Sequence, residues 1–196
     1  MNVEVERVED LPDVLMVRNE VFRDGRGAFR EVYRKDIFLE AGLPAEFVQL
    51  NQSTSGERVI RGLHFQWSPP MGKLMRVTRG RAFVVAVDVR RGSPTMARWV
   101  GRELHAEDDV QMWAPAGFAR GFCALEGPTD VEYLCTATYR GEGEGGVRWD
   151  DPDIGIEWPV TDPILSERDR TAPGLARWLE SPPARFLEFG RRDEPR

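Results

Sequence analysis

The chain has 196 residues, 41% hydrophobic and 31% charged, an ordinary balance for a water-soluble domain long enough to bury a core. Its net charge of −6 and scattered arginines argue against nucleic acid as the main partner. The longest purely apolar run, Ala82–Val87, is too short to cross a bilayer, and acidic residues rather than a signal peptide follow Met1. A single cytoplasmic domain without membrane attachment is expected.

In chain order, a short helix is expected over Asp36–Ala41. Strand-length runs bounded by Gly and Pro follow: Phe47–Asn51, Val59–Gln66, Lys73–Arg79, Ala82–Val89, Ala97–Leu104, Val110–Ala114, Gly121–Leu125 and Val131–Thr138. Arg79-Gly80-Arg81 reads as a tight hairpin turn, and Glu126–Asp130 as a longer one. If that second hairpin is symmetric about Thr129, Cys123 lies opposite Cys135 as a pair of buried, reduced thiols. Tyr133, Cys135, Ala137 and Tyr139 alternate along one strand and so share a face, with the tyrosines about 20 Å apart. "GEGEGG" at Gly141–Gly146 reads as a flexible loop; it lacks the Lys-Ser/Thr ending of a phosphate-binding loop. A last helix is expected over Ser166–Leu179, where Leu175, Trp178 and Leu179 give an apolar face. So many short strands and so little helix predict an antiparallel all-β sandwich or barrel.

The only two histidines are His64 and His105. Transition-metal sites in β-barrels usually take two or three histidines and a carboxylate, and no His-x-His or His-x-x-x-His is present, so no metal is expected. No Gly-x-Ser-x-Gly marks a serine nucleophile, and neither cysteine has basic neighbours to activate it. Proton transfer remains. An imidazole suits a general base near neutrality, a phenol can donate a proton, and a lysine can hold an oxyanion; His64, Tyr133 and Lys73 supply those groups. Each also has a plain structural reading. His64 between Leu63 and Phe65 fits a packed core histidine, Lys73 a solvated strand end, and Tyr133 a packing residue. Ser166-x-x-Asp169 resembles a helix capping box.

An ordered set of motifs adds to this: "DGRGAFREVY" (24–33), "FVQLNQS" (47–53), "RGLHFQ" (61–66), "GKLMRVTRGRAFVVAVDVRRGSPT" (72–95), "WVGRELHAED" (99–108), "PAGFARGF" (115–122), "EYLCTATY" (132–139), "VRWDDPDIGIEWP" (147–159) and "LSERD" (165–169). Through them the chain resembles, from about Asp24 to Ala172, the dTDP-4-dehydrorhamnose 3,5-epimerase family of deoxysugar biosynthesis. The resemblance implies an antiparallel double-stranded β-helix (a cupin jelly roll) with short C-terminal helices. It also implies a homodimer without metal or cofactor, acting on a nucleotide-linked 4-keto-6-deoxyhexose. The ketone acidifies the C3 and C5 hydrogens; a base on one face takes a proton and an acid on the other returns one with inversion. By motif position His64 would be the base, oriented by Asp169, Tyr133 the acid, and Lys73 the stabiliser of the enolate oxygen. Arg26 and Arg61 would meet the diphosphate. Glu31, Gln49 and Asn51 would help bind the nucleotide, Tyr139 would stack on the thymine, and Glu144 would touch substrate.

Three departures from the family's usual pattern stand near these positions. Arg120 replaces the histidine of "FAHGF", Leu50-Asn51-Gln52-Ser53 replaces Asp-Asn-His-Ser, and Arg168 replaces the lysine before the dyad aspartate. Arg120 and Arg168 are therefore expected at the sugar and its flank. Alternatives are a related epimerase inverting only C3 or only C5, and a catalytically silent nucleotide-sugar-binding cupin. There is also a parity problem. Arg61 and His64 are three apart and face opposite ways on a regular strand, so they share a site only if Gly62 permits a bulge or Arg61 acts elsewhere.

Overall fold

A computed structural model describes residues 2–44 and 46–190. The chain begins with strands β1 (Val3–Val8), β2 (Leu11–Asn19), β3 (Val21–Asp24) and β4 (Gly27–Arg30), then helix α1 (Lys35–Glu40). Strands β5 (Gln49–Ser55), β6 (Ile60–Gln66), β7 (Lys73–Arg79), β8 (Arg81–Asp88), β9 (Trp99–His105), β10 (Val110–Ala114), β11 (Phe118–Ala124), β12 (Thr129–Cys135) and β13 (Glu144–Gly146) follow. Two helices, α2 (Glu167–Arg170) and α3 (Leu175–Glu180), precede a 3₁₀ turn at Pro182–Leu187. One sheet has the order β1-β2-β10-β7-β12-β5 and the second β13-β6-β11-β8-β9, while β3 and β4 form a separate hairpin. All the pairings within these sheets are antiparallel, and the two larger sheets face each other as a jelly roll. No helix among the described residues is long and apolar enough to cross a membrane.

The apolar run in β8 shows how the layers are built. Ala82, Val84 and Ala86 point into the core between the sheets, with Val14, Met75, Val77, Phe118 and Val131. Val85 and Val87, pointing the other way, are covered by Leu175, Trp178, Ala184 and Leu187 of the C-terminal segment. Both faces of the strand are buried, so its sequence does not alternate.

Several connections differ from expectation. Arg79-Gly80-Arg81 is a turn but not a hairpin: it carries the chain from β7 in the first sheet to β8 in the second. The Glu126–Asp130 segment likewise leads from β11 to β12 in different sheets. Cys123 and Cys135 are therefore not cross-strand partners; Cys123 pairs in register with Phe83, and Cys135 with Lys73 and Gln49. Both are buried free thiols. A jelly roll pairs strands distant in sequence, which a local turn does not specify. The expected last helix is two helices, interrupted at Thr171–Gly174, where Pro173 and Gly174 end the helical ladder. The expected glycine-rich loop is an ordered edge: its second half, β13, pairs with β6 at Glu144↔Gln66, Gly145↔Phe65 and Gly146↔His64. A Cβ on Gly145 would sit 2.6 Å from the Phe65 ring, so a larger residue could not lie so close. The four N-terminal strands were outside the expectation, which began its strands at Phe47.

Candidate active site

Between the sheets lies a cavity of about 460 Å³, lined among others by Arg61, His64, Lys73, Met75, Arg120, Tyr133, Arg168 and Asp169. The registers explain the convergence, since residues opposed across an antiparallel ladder share a face. On the second sheet Arg120 opposes His64. On the first, Tyr133 opposes both Asn51 and Met75, and Cys135 opposes Lys73. His64 and Tyr133 thus enter the cavity from opposite walls.

The parity problem is resolved at Gly62. Between Arg61 and His64 the β6 ladder advances three residues while β11 advances two, from Phe122 to Arg120. That extra residue is a bulge. Gly62 has φ +136°, and a Cβ there would lie 2.6 Å from the Cα of Gly121. Only glycine allows both the backbone angle and this approach. Arg61 and His64 consequently both line the cavity, with Arg61 held by the Ser55 hydroxyl (3.0 Å) and the Thr54 carbonyl (3.2 Å).

His64 Nε2 is 2.6 Å from Asp169 Oδ1. The imidazole is 27% exposed and the carboxylate 5%, so the imidazole reaches the cavity while its partner is shielded. Burial pushes the Asp169 carboxyl up. The hydrogen bond and charge of His64, the Ser166 hydroxyl and the Gly62 amide outweigh this and hold it below the usual carboxylate range. An ionised Asp169 fixes the proton on Nε2 and leaves Nδ1 as the basic nitrogen. The capping reading is also present, but in a different atom: the Asp169 backbone N–H donates to Ser166 Oγ at 3.1 Å. Asp169→Asn should therefore keep the cap and the fold. It should lower the turnover of folded protein about 10²-fold, the lower end for general-base assistance; paired thermal melts and rate measurements check this. Loss of stability with an unchanged rate would make Asp169 a cap alone.

Across the cavity, burial raises the Tyr133 phenol above its ordinary value. The nearby Cys135 adds to this, and Arg61 and the Asn51 amide partly oppose it. Such a phenol keeps its proton at neutral pH and can donate it. Lys73 Nζ lies 4.7 Å from the centroid of the same ring. Burial, then the charge of Arg120, brings its ammonium down to about 8. At neutral pH it still carries a charge that could meet an enolate oxygen. This predicts an alkaline fall in kcat/KM centred near pH 8, moved upward by Lys73→Arg, which a pH–rate profile checks. The stability effect has the opposite sign. Because the folded value lies below the ordinary 10.5, the unfolded chain binds more protons between about 8 and 10.5, so the Lys73 contribution to stability rises across that window while the rate falls.

Of the expected binding residues, Arg61 and Arg120 line the cavity itself, and the other seven divide into two groups. Asn51, Gln49, Tyr139, Glu144 and Arg168 form one connected run. Gln49 donates to Asn51 (3.0 Å) and accepts from the Tyr139 backbone N–H (2.8 Å). The Tyr139 hydroxyl donates to Glu144 Oε2 (2.9 Å), and Arg168 Nη2 is 2.8 Å from the same oxygen. Arg26 and Glu31 are elsewhere. Arg26, 91% exposed, pairs with Asp24 on the β3–β4 hairpin, and Glu31 pairs with Arg34. Neither lines the cavity, and of the connected run only Arg168 does. The 20 Å tyrosine spacing does not apply, because β12 ends at Cys135 and Tyr139 is placed by Gln49 and Glu144. Gln52 opposes Glu132 on the ladder and so faces away from Tyr133; its departure does not alter the cavity wall. Met75, Ser53 and Ser166 line the cavity unforeseen. Met75 and Ser53 are two residues from Lys73 and Asn51, a signal legible once those were known to point inward.

Among the described residues no group of three His, Cys, Asp or Glu could hold a metal ion; His105 is exposed beside Glu103, 3.1 Å away. The arrangement sets an imidazole and a phenol on opposite walls, with Lys73 beside the phenol and Arg120 opposite the imidazole on its own ladder.

Comparison with known proteins agrees. The family model described as dTDP-4-dehydrorhamnose 3,5-epimerase matches residues 9–177. A Neisseria gonorrhoeae protein of that name is 48% identical over 160 residues, 81% of this chain but 49% of its own length; the chain spans about half of that relative. One from Pseudomonas aeruginosa is 48% identical over 168 residues, covering 85% of this chain and 93% of its own. The crystal structure of a dTDP-6-deoxy-D-glucose-3,5-epimerase from Legionella pneumophila, in complex with dTDP-4-keto-L-rhamnose, superposes with a TM-score of 0.90 at 35% identity, over 97% of this chain and 100% of that one. With its motifs, its jelly roll and its cavity in agreement, the chain belongs to the dTDP-4-dehydrorhamnose 3,5-epimerase family.

Proposed function

We propose that this chain is a single-domain cytoplasmic isomerase that epimerises dTDP-4-dehydro-6-deoxy-D-glucose at C3 and C5 to dTDP-4-dehydro-L-rhamnose. The observation that carries the reading is the opposition of His64 and Tyr133 across one cavity, with Lys73 beside the phenol. His64 Nδ1 takes a proton from the carbon next to the ketone, Asp169 holding the imidazolium that forms. The resulting enolate keeps its charge on the C4 oxygen, near Lys73. Tyr133 then protonates the carbon from the other wall, which inverts it. Arg61 meets the diphosphate, and Gln49, Asn51, Tyr139, Glu144 and Arg168 hold the nucleotide and the sugar's flank. Incubation in deuterated water, with NMR to locate the label, tests the reading: deuterium at C3 and C5 with inverted configuration is expected. Absence of label at both carbons would refute it; label at one alone would make the chain a single-centre epimerase.

A homodimer completes this proposal. The β3–β4 hairpin carries exposed Phe22 (46%) and Phe29 (63%), and the edge strand β5 exposes Leu50 (59%); such apolar surface suits a second copy. Arg26 and Glu31, stranded in one chain, would then serve the cavity of the other. Sedimentation at micromolar concentration should give a dimer. Mixing an inactive His64→Asn dimer with an Arg26→Ala dimer should restore activity in hybrids, and failure to do so would confine each site to one chain.

A further inference from the structure

Arg120 is 3% exposed. Its Nη1 donates to two main-chain carbonyls, Met71 (2.8 Å) and Ala114 (3.4 Å), which fix the plane of the guanidinium. Its Nε and Nη2 are buried and have no hydrogen-bond partner among the described residues. Buried donors are seldom left so, because their lost hydration is not replaced. No carboxylate among the described residues pairs with this charge either, and its charged neighbour Lys73 has the same sign. Arg120 opposes His64 on the ladder and lines the same cavity. The guanidinium therefore borders the cavity with one edge buried and unpaired.

Resting on the epimerase reading above, we infer that the Nε–Nη2 edge of Arg120 grips a vicinal oxygen pair of the sugar, the C4 oxygen and the C3 hydroxyl, and so favours proton removal at C3. The Nε–H and one Nη2–H of a planar guanidinium point the same way and fit two oxygens held side by side. When the C3 proton leaves, C3 becomes trigonal and both oxygens lie in the plane of one enediolate. The two contacts then tighten together as negative charge grows on the C4 oxygen. When the C5 proton leaves instead, C3 stays tetrahedral and only the contact to the C4 oxygen strengthens. An imidazole at position 120 offers no such fork, so this chain's departure from the family's histidine acts on the choice between carbons.

The test compares initial deuterium incorporation at C3 and C5 from dTDP-4-dehydro-6-deoxy-D-glucose for the wild type, Arg120→Gln and Arg120→His. Exchange at C3 relative to C5 should fall about tenfold or more in both variants, the effect of losing one charged hydrogen bond. An unchanged ratio, whether both rates fall equally or neither falls, overturns the inference. Absence of exchange in the wild type overturns the epimerase reading itself, so the two failures are distinguishable. Should a variant not fold, the wild type supplies a second measurement. It should bind dTDP-6-deoxy-D-glucose about tenfold or more tightly than the analogue lacking the C3 hydroxyl, because that loss leaves a buried donor unpaired. Equal affinity overturns the inference.

Discussion

His64→Asn is expected to abolish deuterium exchange at both C3 and C5. General-base assistance is worth about 10²–10⁴ in rate, or about 2.7–5.4 kcal/mol of barrier, and no other group in the cavity can replace it. Asp169 is nearly inaccessible behind the imidazole, Tyr133 is held protonated by its burial, and His105 is exposed on β9. Asparagine is close to histidine in size and can still hydrogen-bond Asp169. The Gly62 amide and the Ser166 hydroxyl remain on that carboxylate. The fold should therefore survive, as near-ultraviolet circular dichroism can check, and the loss can be read as chemistry. Retained exchange would make His64 a packing residue, and the mechanism would have no base.

The walls of this cavity were more legible than its connections. β6, β7, β10 and β12 are close to the expected runs because period and turn residues are local signals. Which strands pair is not local: Tyr133 is set beside Asn51 and Met75 by ladders spanning many residues, so the supposed Cys123–Cys135 hairpin had no basis in the chain's real partners. The bulge at Gly62 could be stated as a requirement, since two residues three apart had to share a site. Its cause, the near contact of Gly62 with Gly121, needed the neighbouring strand. Arg120 is the converse case. Its departure from the motif was visible, but the anchoring of Nη1 by Met71 and Ala114, which leaves one edge of the guanidinium free, was not. The β1 strand shows a weaker reading, for Val3 and Val5 alternate with Glu4 and Glu6 in a pattern that needed no structure to see.

Tyr133→Phe should separate proton removal from inversion. The substitution deletes one hydroxyl from the first sheet and leaves the ring, so the packing against Lys73 (4.7 Å from the centroid) and the ladder to Met75 are kept. On the opposite wall the His64–Asp169 pair is untouched. The enolate can still form and can be reprotonated only from the side where it lost its proton. Deuterium should therefore enter the sugar at a rate within about tenfold of wild type, while net epimerisation falls by about 10²–10⁴, the worth of a positioned general acid. Proton NMR reads both quantities in one sample: loss of the C3 and C5 signals reports exchange, and coupling constants report configuration. Parallel collapse of exchange and inversion would show that the phenol is required before the enolate exists. Inversion at wild-type rate would give the acid's role to another donor, and the opposition of the two walls would lose its chemical meaning.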